Sequence, residues 1–206
     1  MSSEGYSGAP ITLDAKALFI VHDDSENRPL ATGFCFIKPE WVVTAKHVVL
    51  ETSLPRQNLS LTSFRGEQAR ASILFLHPSH DLAVLRIEGQ SPCDVPLFPG
   101  FEEHTGRRGL VCCGYAPSLS FREGRKHAIF FNQVTSYERE ERTRNTGDES
   151  LIVFDAPWME GGHSGGPVFG EGGGVVAVLI ELIQSGSGIA RARASSILHL
   201  LRFLTF

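Results

Sequence analysis

The chain has 206 residues, 42% of them apolar and 20% charged, an ordinary globular usage that argues against a disordered or fibrous protein. Nineteen Lys and Arg against 23 Asp and Glu give a formal charge of -4, which speaks against a nucleic-acid partner, whose binder is normally basic. At roughly 150 residues per domain the length suits one large domain or two small halves sharing a cleft, and 21 Gly and 11 Pro point to many short elements joined by turns.

Residues 1–10 read as an N-terminal arm, because Met1-Ser2-Ser3-Glu4-Gly5-Tyr6 has neither the basic nor the apolar segment of a secretory signal. Short β-rich apolar runs follow at 17–21, 32–37, 41–44 and 82–87. A Pro- and Gly-bearing stretch over 99–108 reads as a linker, and a second series of runs comes at 109–113, 151–154 and 175–180. Repeated short strands at this spacing predict an all-β barrel or sandwich. The mixed-charge run 138–148 reads as a solvated hairpin or loop. The tail 194–206 predicts a helix, with Ile197, Leu200, Leu201 and Leu204 on one stripe and Ser195 or Ser196 as N-cap. That helix packs on the second β half or docks on another chain.

Cys35, Cys93, Cys112 and Cys113 match no zinc spacing, and the adjacent pair is poorly placed to bond to itself. They read as reduced, part-buried thiols of a cytoplasmic protein, with Cys112 and Cys113 on opposite faces of one strand. His77-Pro78-Ser79-His80 superficially resembles a metal pair, but the proline breaks helical placement and no further ligand converges in sequence. No apolar run reaches the roughly 18 residues of a membrane span. No metal, no other cofactor and no membrane partner are expected.

Three fragments carry chemistry together: Val42-Val43-Thr44-Ala45-Lys46-His47, His80-Asp81-Leu82-Ala83-Val84-Leu85 and Gly161-Gly162-His163-Ser164-Gly165-Gly166-Pro167. A serine hydroxyl is a weak nucleophile that needs a base in reach, an imidazole titrates near pH 6.5, and a carboxylate can orient that imidazole. Singly, each fragment has a plainer reading: a half-buried histidine, a strand-capping carboxylate and a tight glycine turn.

In this order, with intervals of 34 and 83 residues between His47, Asp81 and Ser164, the sequence resembles the chymotrypsin-like (trypsin-fold) serine peptidases. The compact spacing is similar to bacterial HtrA-type and glutamyl-endopeptidase-type members. Thr32-Gly33-Phe34 resembles the strand before the His motif, and Gly188-Ile189-Ala190-Arg191 the last barrel strand, so the resemblance covers about residues 11–204. It implies two six-stranded antiparallel β-barrels, 11–98 with His47 and Asp81 and 109–193 with Ser164, the site in the cleft between them, and a C-terminal helix. It also implies a serine endopeptidase acting on protein or peptide substrates, with His47 as base, Asp81 as its orienter, Ser164 as nucleophile, and the N–H groups of Gly162 and Ser164 as oxyanion donors.

The sequence departs from the family at His163, where trypsin-like zymogens carry an Asp that pairs with a newly cut N-terminus. The oxyanion loop is then set either constitutively or by a protein activator or neighbouring subunit, and His163 reads as a loop-packing residue in preference to a second base. The resemblance places the primary pocket at Trp158, at Ile180, Glu181 and Leu182, and at Gly188. Trp158 stands where basic-specific enzymes have Asp. Ile180 and Leu182 favour an apolar residue before the scissile bond, whereas an inward-pointing Glu181 would reverse that preference. The alternative is a peptidase-like scaffold whose cleft binds peptides without turnover.

Overall fold

A computed structural model of the protein describes residues 17–24, 28–100, 109–117, 129–134, 137–144, 147–170, 172–184 and 190–204. The N-terminal arm, linker residues 101–108 and Gly188 lie outside the described residues.

The first half begins with β1 (Leu18–Asp23), β2 (Arg28–Phe36) and β3 (Lys38–Thr44). A small hairpin follows, β4 (Leu50–Glu51) and β5 (Leu54–Pro55), and then β6 (Leu59–Ser63), β7 (Gln68–Leu76) and β8 (Ala83–Glu88). Six of these strands close into an antiparallel barrel in the order β1-β2-β3-β8-β7-β6. The second half comprises β9 (Leu110–Tyr115), β10 (Ile129–Val134), β11 (Glu138–Arg144), β12 (Gly147–Asp155), β13 (Pro167–Phe169), β14 (Val175–Gln184) and β15 (Ala190–Ser196). These form a curled half-barrel sheet in the order β10-β9-β13-β14-β15-β12-β11, seven strands where six were expected. The two halves fit the expected all-β double-barrel fold.

The first-half strands are apolar on successive residues because both of their faces are covered. Phe19, Cys35, Val42 and Leu85 point into the barrel, into a cluster with Leu61 and Ile87. Their neighbours Leu18, Phe34, Val43 and Val84 point outward, into a second cluster shared with Phe169 and Val178 of the other half. A buried Phe or Leu side chain stabilises by about 1.5–3 kcal/mol, so this shared layer holds the halves together. A third cluster, including Leu110, Cys112, Phe154 and Leu179, is the core of the second half. Cys112 belongs to the third cluster and Cys113 to the second, which places the pair on opposite faces of β9 as expected. All four cysteines are buried, and no disulfide joins them.

Backbone hydrogen bonds at the start of the linker lace the halves together. The Leu97 N–H donates to Cys35 O at 2.9 Å, and the Gly100 N–H donates to Val175 O at 2.7 Å. The mixed-charge run is largely strand: β11 pairs with β12, and Arg191 and Arg193 of β15 pair with Glu138 and Glu140.

The C-terminal helix α1 spans only Ile197–Leu201, shorter than the 194–206 expected. Ala194 and Ser195 stay in β15 because they pair with Ile152 and Leu151 of β12, and a ladder bond outweighs a weak local helix preference. Ser196 is the N-cap and accepts the Leu198 N–H. Ile197 and Leu200 are buried in the cluster between the halves, so α1 packs on the second half, while Leu198 and Phe203 stay exposed.

Candidate active site

Barrel register brings His47 to Asp81. In the β3–β8 ladder Thr44 sits opposite Ala83, so the residue three beyond Thr44 and the residue two before Ala83 emerge at the same barrel end. The chain after β3 turns through a 3-10 helix, Lys46–Val49, anchored by buried Val48 and Val49, which leaves His47 exposed. Asp81 grips it twice: Oδ1 accepts the His47 backbone N–H at 2.8 Å, and Oδ2 lies 2.7 Å from Nδ1. A carboxylate only accepts, so Nδ1 carries the proton and the Nε2 lone pair is left to accept one.

The hydrogen bond that His47 donates to Asp81 raises the pKa of His47 above its usual value against the opposing effect of burial, and the charges of Asp81 and Glu181 add to the rise. Burial works to raise Asp81, but the hydrogen bonds and charge of His47, with Lys46 nearby, prevail and hold it below the usual carboxylate value.

Behind this pair lies a histidine stack. The Nδ1 of His77 accepts the N–H groups of Ser79 at 3.2 Å and His80 at 3.0 Å, shaping the turn that delivers Asp81. The His80 ring stacks on His199 of α1 at 3.8 Å, and His77 meets Phe203 edge-on at 4.5 Å. Burial, then the like charges of His80, His199 and Lys46, push His77 down to about 4. His199 had no signal in sequence; its partners lie more than a hundred residues away.

Ser164 lies, half-buried, on the loop between β12 and β13. The loop is built from hydrogen-bonded peptides. The Gly166 N–H donates to His163 O at 3.0 Å, and the Gly165 N–H donates to Leu179 O at 2.7 Å. Gly162 has φ +104 and Gly165 φ +82, left-handed conformations that favour glycine. A Cβ on Gly165 would lie 2.1 Å from Thr32 O, so the loop can approach the first barrel only without a side chain there. His163 is 1% exposed, accepts the Glu160 N–H on Nδ1 at 2.9 Å, and is pushed down to about 4 by burial. Its Nδ1 bond to Glu160 closes the turn that leads into Ser164.

Of the residues placed at the pocket by sequence, Trp158 is half-buried against the second-half core, its ring centroid 6.3 Å from His163. Ile180 belongs to the core cluster at 4% exposure, not to a solvent-facing wall. It lies on the face of β14 opposite Leu179, packed in the first cluster with Leu151 and Val153 of β12, just where the β14–β15 register shifts between Leu179 and Glu181. Glu181 and Leu182 are exposed, and Glu181 pairs with Arg193 at 3.0 Å. Gly188 lies outside the described residues.

Among the described residues no group of three His, Cys, Asp or Glu side chains is arranged to hold a metal ion, and no helix is long and apolar enough to cross a membrane. What the site can do chemically rests on a polarised imidazole, a serine on a rigid turn and backbone N–H groups.

The family described as trypsin-like peptidase domain matches residues 31–178. No curated protein matches the chain. Among solved structures, the chain is similar to the apo MamO protease domain of Magnetospirillum magneticum, with 18% identity and TM-score 0.73 over 93% of this chain and 97% of that one. It is also similar to the active form of the Rv3671c protease of M. tuberculosis, with 18% identity and TM-score 0.70 over 94% and 82%. A serine endoprotease from Yersinia pestis aligns with 18% identity and TM-score 0.64 over 91% of this chain, which spans 61% of that one. At such identity these likenesses speak to the fold. The family match runs through both halves and takes in His47, Asp81 and Ser164, and on that match the chain belongs to the trypsin-like peptidase domain family.

Proposed function

We propose that the chain is a serine endopeptidase that hydrolyses peptide bonds of a protein or peptide substrate through an acyl-enzyme. The observation that carries this reading is the double grip of Asp81 on His47, which sets the tautomer a general base requires. Ser164 Oγ attacks the scissile carbonyl carbon while its proton passes to His47 Nε2. The carbonyl oxygen becomes an oxyanion facing the N–H groups of Gly162 and Ser164. Collapse breaks the C–N bond, and the departing amine takes the proton from His47. Water then attacks the acyl-enzyme with His47 again as base, releasing the acid and restoring Ser164.

The loop's own hydrogen bonds support a constitutively set site, as against one completed by an activator or neighbouring subunit. The four buried, unbridged thiols suit a reducing compartment such as the cytoplasm. The exposed Leu182 supports an apolar preference before the scissile bond, and the Glu181–Arg193 pair keeps that carboxylate occupied.

The test is a fluorophosphonate probe with the purified chain, followed by peptide-library profiling. Labelling of Ser164 that vanishes in Ser164→Ala, with cleavage after apolar residues, is the expected result. A chain that binds peptides but is neither labelled nor turns them over is the peptide-binding scaffold instead.

A further inference from the structure

Thr32 joins the two halves through its N–H and its hydroxyl, while its carbonyl bonds within the first barrel. It lies on β2 of the first barrel and is fully buried. Its N–H donates to Ser164 O at 2.9 Å. Its hydroxyl donates to Gly162 O at 2.7 Å and accepts the Tyr115 N–H at 2.8 Å. Its own carbonyl accepts the Thr44 hydroxyl at 2.7 Å. The direction of the Thr32 proton is not free: Tyr115 offers only a donor, so the hydroxyl hydrogen must go to Gly162.

Two of these bonds, to Gly162 O and Ser164 O, fix peptide planes of the nucleophile loop. The Gly162–His163 peptide is held at both ends, its carbonyl by Thr32 and its N–H by Glu160 O at 3.4 Å. The Ser164–Gly165 peptide is held by the Thr32 N–H on one side and by Leu179 O on the other. The peptide between these two, which carries the Ser164 N–H, is pinned through His163 O by Gly166. Thr44, at the far end of the chain of bonds, is three residues before His47 on the same strand exit. Without the Thr32 hydroxyl the Gly162 carbonyl and the Tyr115 N–H lose these partners, and a β-hydroxyl at position 32 supplies both.

We infer that Thr32 is a positioning residue of the reaction: it measures off the Ser164 loop against the strand that carries His47, so that nucleophile and base stand in register across the two halves. This rests on the reading of Ser164 as nucleophile. A hydroxyl in the first barrel thereby governs a loop of the second, and its loss lets the loop relax while the His47–Asp81 pair, internal to the first barrel, stays as it is.

The experiment compares wild type, Thr32→Val and Thr32→Ser by fluorophosphonate labelling rate, peptide kcat and KM, and the pH profile. Thr32→Val is expected to lower the labelling rate and kcat roughly 10²-fold, the scale of an ångström's misplacement, with little change in KM. Thr32→Ser, which keeps the hydroxyl, restores both, and the acid limb set by His47 does not move in either variant. A Thr32→Val protein labelled at the wild-type rate, or a Thr32→Ser protein as slow as the valine variant, overturns the role. Should Thr32→Val not fold, Thr44→Val cuts the same chain one bond further away; a slower rate with an unmoved acid limb supports the role and a wild-type rate refutes it. Wild type that resists the probe refutes the nucleophile reading and the positioning role together, whereas a labelled wild type matched by Thr32→Val refutes the positioning role alone.

Discussion

The two halves contribute to the site on different terms. His47 and Asp81 leave adjacent strands of one closed barrel, and the β3–β8 ladder with the turn at His77 brings them together. Ser164 comes from a loop whose support is divided, partly within the second half through Leu179 and partly across the interface through Thr32. A closed barrel has no free edge to slip, whereas a docked loop is only as well placed as the surface beneath it. The geometry of the His47–Asp81 pair is therefore intrinsic to one half, and the placement of Ser164 is a property of both.

Ser164→Ala breaks the comparison most severely. Removing the proposed nucleophile is expected to cost about 10⁶ in turnover, as in comparable triads, without disturbing the first barrel. Asp81→Asn tests the intrinsic half. It is expected to cost roughly 10⁴ in kcat, because an amide can stabilise the wrong tautomer. It also withdraws the main cause of the raised His47 pKa, so the acid limb of kcat/KM moves to lower pH. Retained turnover with an unmoved limb would show that Asp81 does not orient the base.

Gly165→Ala attacks the shared half. A Cβ 2.1 Å from Thr32 O and 2.3 Å from Thr44 Oγ1, added at φ +82, forces the loop off the barrel. Melting temperature and labelling rate should fall together, by several degrees for the former, since a strained or clashing backbone costs on the order of 1–3 kcal/mol. A variant that melts as wild type does but labels slowly would place the constraint in chemistry alone.

The intrinsic half was also the more legible in sequence. Strand, turn and histidine are contiguous in Val43-Thr44-Ala45-Lys46-His47, and Asp81 directly precedes an apolar run, so local pattern was sufficient. The Gly162 to Pro167 stretch showed a tight turn for the same reason. What stayed hidden depends on registry between distant segments. Thr32 reads as one more strand residue, and nothing local says that its hydroxyl meets Gly162, 130 positions away. Ile180 reads as a pocket residue, and only the packing of β14 and β12 against the first barrel shows it buried beside Leu151 and Val153. The helix pattern at 194–196 is real as a propensity, but those residues are claimed by ladders to β12 and β14.

The buried histidines offer a gentler probe of both halves at once. His77 sits behind the first-half pair and His163 under the second-half loop, and both are pushed from 6.5 down to about 4. For each, the unfolded chain binds a proton near pH 6.5 that the folded chain refuses until about pH 4, so stability rises with pH through that window and is lost on acidification. Full traversal is worth up to about 3 kcal/mol per ring. Replacing His163 with Gln should flatten the acid side of the stability curve without moving the acid limb of activity, which belongs to His47. A stability curve as steep as wild type would mean that His163 is already charged in the fold.

The smallest effect asks how far the second half reaches into the first by charge alone. Glu181 on β14 is the last of the causes that raise His47, and its carboxylate is shared with Arg193, which also holds Glu140. Opposite signs follow from the two ends of this pair. Glu181→Gln withdraws a negative charge and should move the acid limb of kcat/KM to lower pH, by less than Asp81→Asn does. Arg193→Gln removes the cation that compensates Glu181 and should move it to higher pH. The Glu181 carboxylate on which both shifts depend is exposed, so raising salt from about 0.1 M to 1 M, which shortens the screening length from roughly 10 to 3 Å, should shrink them. A pair of variants that shift the limb in the same direction would show that they act by moving the β14–β15 bulge against His47, making even the base's titration a matter of how the halves are docked.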